Sequence, residues 1–222
     1  MGQMITLTCS DAVTIGAYRA APAGRPVGGM VVLQEIFGIN AHIQSVADSY
    51  AAAGYLAIAP ALFDRASPNE FLGYAPADVV RGRDLKMRTS LDNSLADIAA
   101  AVGAAAQGGK VGLVGYCWGG FLAFMAAARV PGLSATVGYY GGGIAGALGE
   151  KPRVPVILHF GEKDAHISMA DVASIRAAQP ELPVYTYPAD HGFNRLGTPA
   201  YDAPSAELAR KRSLEHFALY LG

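Results

Sequence analysis

The sequence predicts an α/β protein, with a mostly parallel sheet flanked by helices on both faces and one domain over residues 1–222. Three observations predict it. Short apolar runs rich in β-branched residues alternate with longer runs of helical periodicity. The apolar runs are nearly continuous, as expected of strands buried on both faces. The chain is 52% hydrophobic and only 16% charged, a composition that can fill a sizeable core.

Residues 1–6 read as the start of a first strand. Val31-Val32-Leu33 is a short buried strand that runs into Gln34-Glu35-Ile36-Phe37-Gly38. Ala41 to Ala53 then reads as a helix, with Ile43, Val46, Ala47 and Tyr50 on one face and Gly54 as its stop. Tyr55 to Ala59 is the next strand, ended by Pro60. Phe63 to Arg88 has little strand periodicity and carries Arg65, Arg81, Arg83, Lys86 and Arg88; it is expected to be an excursion over the site. Asp92 to Ala106 is helical, with Leu91, Leu95, Ile98 and Val102 in register. Lys110 to Val114 is a strand and Phe121 to Ala128 a helix. Ala135 to Tyr140 and Val154 to Phe160 are further strands. Ser168, with Asp171 three residues on, opens a helix in the manner of a capping box. Val184 to Tyr187 is a late strand, and Pro204 to Leu221 a final helix. Alternation of this kind implies a parallel sheet with crossover helices. No repeat or linker interrupts it.

Several classes are excluded as expectations. A net charge of −1, with Arg210-Lys211-Arg212 as the one basic cluster, predicts no nucleic-acid partner. The N-terminus lacks a basic segment followed by an apolar core, so no secretory signal is expected. Gly2 with Thr6 formally matches a myristoylation pattern, but no second lipid or polybasic signal follows. Val111 to Ala128 is an uncharged run whose glycine-rich centre would break a membrane helix, so a buried strand and helix are expected there. Two cysteines, Cys9 and Cys117, are expected as free thiols in the cytoplasm. The dispersed histidines predict no metal site, and no cofactor motif is present.

The most informative stretch is Gly115-Tyr116-Cys117-Trp118-Gly119-Gly120, between a strand and a helix. It is the nucleophile-elbow pattern with Cys in place of Ser. The glycines matter because the central residue takes a strained conformation in which neighbouring β-carbons would clash. The helix after it turns N–H groups and a positive dipole end toward the sulfur, which favours a thiolate.

In open α/β sheets reactive residues lie past the C-terminal ends of strands. Glu35, Cys117, Asp164 and His191 all occupy such places. The order Cys117, Asp164, His191 is the nucleophile, acid, base order of α/β-hydrolases, with about one crossover unit between members. Cys117 would attack as a thiolate, His191 would hold or return the proton, and Asp164 would fix the imidazole. The N–H of Trp118 and that of Ile36 are the expected oxyanion-hole donors. Glu162 is a rival acid and His166 a rival base. His42, His159 and His216 are expected to be structural or exposed. A carboxylate directly after a buried strand is costly unless paired, which marks Glu35 as functional.

The chain resembles the dienelactone hydrolase family, the carboxymethylenebutenolidases, nearly end to end. The landmarks are Gln34-Glu35-Ile36-Phe37-Gly38, Gly112 to Gly120, Gly138-Tyr139-Tyr140-Gly141 and His191-Gly192-Phe193. The resemblance implies an α/β-hydrolase fold and a Cys117–His191–Asp164 triad that opens lactones or esters through a thioester. It implies that Glu35 answers both to the cysteine and to an arginine matching Arg195, and that a second substrate arginine matches Arg81. A substrate carboxylate engaging the arginines would free Glu35 to take the thiol proton. The chain departs from the family in the acyl pocket. The aromatic residues expected near Arg81 are Leu85 and Arg88, and Gly192 replaces the serine of the best-known dienelactone hydrolase.

The expectation is a cytoplasmic cysteine hydrolase for a small lactone or ester bearing a carboxylate, active as a monomer or small homo-oligomer without membrane or nucleic-acid partner. A broader carboxylesterase or thioesterase, and a thiol sensor or binder without turnover, are the alternatives.

Overall fold

The computed structural model describes residues 2–222, and Met1 lies outside the described residues. Eight strands form one sheet: β1 (Gln3–Thr8), β2 (Thr14–Ala20), β3 (Gly28–Leu33), β4 (Tyr55–Pro60), β5 (Val111–Tyr116), β6 (Leu133–Tyr139), β7 (Val156–Gly161) and β8 (Val184–Tyr187). Their order is β1-β2-β4-β3-β5-β6-β7-β8. β1 and β2 form an antiparallel hairpin and β2 meets β4 antiparallel; every other pairing is parallel. The sheet is the α/β-hydrolase type expected from the sequence.

Six α-helices accompany it: α1 (Ala41–Ala52), α2 (Pro76–Arg88), α3 (Leu91–Ala105), α4 (Trp118–Arg129), α5 (Met169–Ala178) and α6 (Ala203–Leu221). α1 leads from β3 to β4 and α4 from β5 to β6, in opposite directions across the sheet. Right-handed crossovers therefore put them on opposite faces. α6 joins α1, where Arg210 stacks on Tyr50 at 4.1 Å and Phe217 packs edge-on against the same ring. α3 lies with α4 on the other face. Strands β3, β4, β5 and β7 are buried at every residue, which explains their apolar runs, interrupted only by His159 in β7.

The chain reverses its winding direction between β3 and β5. In sheets of this kind that reversal opens a crevice beyond the strand ends. Leu33 and Gly115 pair across this point. Glu35 and Cys117 follow directly, so sheet register alone brings them together.

Local signals set the helix starts. Asn40 caps α1 by accepting from the Ile43 amide, Ser90 caps α3 through Asn93, and Ser168 with Asp171 forms the expected capping box of α5. The excursion between β4 and α3 contains a helix, α2, that the sequence pattern left undefined. Of its thirteen residues only Gly82 and Leu85 are buried, so it has no apolar stripe to read. Two links tie the excursion to the loop after β3: a bridge between Gly38 and Phe71, and the Leu72 amide donating to the Phe37 carbonyl at 2.9 Å.

Candidate active site

Cys117 sits between β5 and α4 with φ 54° and ψ −116°. A non-glycine residue with positive φ is strained and survives only where its surroundings over-determine it. The elbow glycines do this by allowing close backbone approach. A β-carbon at Gly115 would collide with the Gly119 carbonyl, one at Gly119 with the carbonyls of Leu33 and Gln34, and one at Gly120 with that of Tyr139. The Cys117 amide donates to the Tyr139 carbonyl at 3.0 Å, and its own carbonyl accepts from Gly120 at 2.9 Å. Trp118 is the first residue of α4, where helix geometry offers its N–H no intrahelical acceptor.

His191 follows β8 and Asp164 follows β7. The two loops are laced together: the Lys163 amide donates to the Ala189 carbonyl at 2.9 Å and the Glu162 amide to that of Tyr187 at 2.8 Å. A β-carbon at Gly161 would strike the Ala189 carbonyl. Asp164 Oδ2 meets His191 Nδ1 at 2.7 Å, while Oδ1 accepts from the amides of His166 at 2.7 Å and Ile167 at 3.2 Å. Both carboxylate oxygens are thus fixed in place.

Burial opposes charge on each partner, but the contacts outweigh it. For Asp164, the His191 ring and the two amides hold the carboxyl below its usual range despite burial. For His191, burial alone would lower the value; Asp164 on one side and the Cys117 sulfur on the other push it up to about 10. An imidazolium held between a carboxylate and a thiol is the arrangement of an activated cysteine nucleophile.

Glu35, at the end of β3, is 1% exposed. Its carboxylate accepts two parallel hydrogen bonds from Arg195, from Nε at 3.0 Å and from Nη2 at 2.7 Å. Arg195 also packs over Tyr74 at 4.8 Å and Phe37 at 5.4 Å. Gly192, at φ 79°, faces its guanidinium, and a β-carbon there would come within 3.0 Å of Cζ.

A cavity of about 460 Å³ opens in front of Cys117. Ile36, Phe37, Trp118, His191 and Arg195 contribute to its wall, with Gly142, Gly143 and His166, and with Val79, Arg83 and Lys86 from α2. Its size suits a small organic molecule. Among the described residues no group of three His, Cys, Asp or Glu side chains is arranged to hold a metal ion.

The sequence expectations can be placed residue by residue. Cys117, His191, Ile36, Trp118 and Arg195 meet at this cavity, and Asp164 and Glu35 stand directly behind it. Arg81 does not line it. Its guanidinium is engaged by Glu70, by Ser67 Oγ at 3.1 Å and by Asp84 at 3.3 Å. The reason is helical phase. Gly82 faces the loop after β3 so closely that a β-carbon would collide with the Ile36 carbonyl. Residues 79, 82, 83 and 86 share that face, and Arg81 is turned away from it. Leu85 is fully buried in the core and Arg88 pairs with Asp84, so neither takes the place of an aromatic cavity wall.

Glu162 is exposed, whereas Asp164 is the carboxylate that meets His191. His166 is closer than expected, its ring edge-on to His191 at 5.2 Å, but Asp164 binds its backbone amide. His159 is a satisfied core histidine between Tyr187 OH at 2.8 Å and Ser213 Oγ at 3.2 Å, and burial pushes its pKa down to about 3. Cys9 and Cys117 are both free, and Cys9 instead donates to Asp97 at 3.2 Å. Tyr140 carries no expected role, yet its buried ring lies 4.9 Å from His191 and its backbone has φ 36°. Its paired glycine neighbours were the available signal.

Comparison with known proteins shows the family of the chain. The family model described as the dienelactone hydrolase family matches residues 15–221. The carboxymethylenebutenolidase of Pseudomonas putida is 35% identical over 228 residues, covering 96% of this chain and 95% of its own. The crystal structure of a Klebsiella pneumoniae protein assigned as a dienelactone hydrolase aligns with TM-score 0.85 and 30% identity over 99% of this chain and 100% of the other. An esterase of Pyrococcus furiosus shares the fold at TM-score 0.72 and 15% identity, covering 100% of this chain and 93% of its own. By these matches the chain, which brings the cysteine elbow, the His191–Asp164 pair and the buried Glu35–Arg195 pair to one cavity, is a hydrolase of the dienelactone hydrolase family.

Proposed function

We propose that this hydrolase opens a small, carboxylate-bearing lactone or ester through a thioester on Cys117. The observation that carries the reading is the strained cysteine elbow facing the His191–Asp164 pair, with a buried Glu35–Arg195 pair in the same wall.

The Cys117 thiolate adds to the substrate carbonyl carbon, and the oxyanion that forms is held by the N–H groups of Ile36 and Trp118. Collapse breaks the acyl C–O bond, and His191 gives its proton to the departing alkoxide. Ring opening of a lactone leaves that alcohol attached to the acyl group. Water, deprotonated by His191, then attacks the thioester, and the carboxylic acid leaves as the thiolate returns. Asp164 keeps the imidazole oriented throughout. A substrate carboxylate competing for Arg195 loosens its grip on Glu35, which then takes the thiol proton. The thiolate is thereby formed with substrate bound, which shields it from oxidation at rest. The two free thiols support action in a reducing compartment, the cytoplasm.

A panel of dienelactone, neutral p-nitrophenyl esters and acyl thioesters tests the reading. Preference for the carboxylated lactone supports it. Equal or better turnover of neutral esters or thioesters reassigns the chain as a broad esterase or thioesterase, and a reactive Cys117 without turnover reassigns it as a thiol sensor.

A further inference from the structure

We propose that Arg83 and Lys86 of α2 form the anion subsite of the acyl cavity, the place where the substrate's anionic group is selected. The proposal rests on the hydrolase reading above and goes beyond it in naming which cations recognise the substrate.

Four cations ride on α2, Arg81, Arg83, Lys86 and Arg88, and the structure divides them sharply. Arg81 is committed to Glu70, Ser67 and Asp84. Arg88 is committed to Asp84 at 3.6 Å and to the Ala66 carbonyl at 2.8 Å. Arg83 and Lys86 make no ion pair and no side-chain hydrogen bond among the described residues, and these two line the cavity with Cys117. They stand three residues apart on one helical face, so their side chains are neighbours. Gly82 presses that face against the Ile36 backbone, beside an expected oxyanion donor.

The charge around them is one-sided. Among the described residues no Asp or Glu lines the cavity. The other two cations in the wall are already held, Arg195 by Glu35 through two N–H groups and His191 by Asp164, so an incoming anion meets Arg83 and Lys86 before it competes for Arg195. The two unmatched charges of Arg83 and Lys86 therefore give the cavity a positive field with nothing inside to cancel it. An anion on the acyl arm, a carboxylate in the substrates proposed above, is the complement. Val79 completes the same stripe and offers apolar contact to the carbon chain between the anion and the reacting carbonyl.

The test uses two esters of equal chain length, mono-p-nitrophenyl adipate, which carries a carboxylate, and p-nitrophenyl hexanoate, which does not. The ratio of their KM values is measured in the parent enzyme and in the Arg83→Gln/Lys86→Gln double variant. One or two contacts from these exposed side chains, each worth up to about 1 kcal/mol, correspond to a rise of up to roughly 5- to 30-fold in that ratio. Adipate titrated calorimetrically into a Cys117→Ala protein, with and without the two glutamine substitutions, should weaken by a similar factor. That arm needs no turnover, so an anion site is detected even if the hydrolase reading fails. An unchanged KM ratio, unchanged adipate affinity, or a larger selective effect from Arg81→Gln overturns the proposal.

Discussion

Glu35 and Arg195 grip each other in the cavity wall, and the strength of that grip can be worked out. Glu35 is 1% exposed and the Arg195 side chain 13%, and they share two parallel hydrogen bonds. Removing either partner leaves the other charge largely desolvated. Truncating one member of such a pair costs about 3–5 kcal/mol, because the other charge stays buried and uncompensated. In a domain of this length each kcal/mol is worth about 2–4 °C, so Glu35→Leu and Arg195→Met should each lower Tm by roughly 6–20 °C. The double variant removes both charges and should be more stable than either single one, since an apolar pair of similar volume is often as stable as the ion pair. Urea unfolding at pH 7, followed by Trp118 fluorescence, gives the cycle. Single losses below about 1 kcal/mol, or strict additivity in the double variant, would refute the claim that the two charges are a tightly held, desolvated pair. The result matters for the proposed mechanism, in which the pair keeps Glu35 from Cys117 until a competing anion arrives.

Other perturbations probe the remaining parts. Asp164→Asn should lower kcat by about 10⁴ with KM little changed, since the imidazole loses its orienting carboxylate; steady-state kinetics on one ester reads both constants. His191 should titrate near 10 by NMR in the parent protein, and its value should fall in both Asp164→Asn and Cys117→Ala, which remove the two contacts that raise it. A raised histidine value has a definite sign in stability. Its contribution is complete below the ordinary value of about 6.5 and is lost as pH rises through about 10, so the parent should lose stability over that alkaline window more steeply than Cys117→Ala. Gly82→Ala would by propensity favour a helix, yet its β-carbon would meet the Ile36 carbonyl, so kcat/KM should drop, by about 10² if α2 or the oxyanion loop moves by 1 Å. Unchanged kinetics in that variant would contradict the close packing of α2 on the loop.

Much of this architecture was legible in the sequence because its central strands are buried on both faces. The β3, β4 and β5 runs carry no polar interruption before their ends, and β7 carries only the buried His159. The meeting of Cys117, Asp164 and His191 followed from the same logic, because a parallel sheet collects the ends of β5, β7 and β8 on one edge. β2 was missed because it mixes exposed and buried positions near the sheet margin, with Arg19 and Thr14 in its course. α2 was missed for a different reason. It is polar nearly all round and is held by one glycine contact and one leucine, which leaves no periodic apolar signal. Without its phase, Arg81 could not be told from Arg83. The glycine was the clue, since a Gly inside a helix marks close backbone approach and so names the inward face.

The central claim is that Cys117 forms a covalent acyl intermediate resolved by His191. Rapid acid quench of the enzyme with a p-nitrophenyl ester, followed by peptide mass spectrometry, tests it directly. The account predicts an acyl mass on the peptide carrying Cys117, accumulating in His191→Gln and absent, together with turnover, in Cys117→Ala. Turnover that persists in Cys117→Ala, or an acyl mass on a different residue, would contradict it.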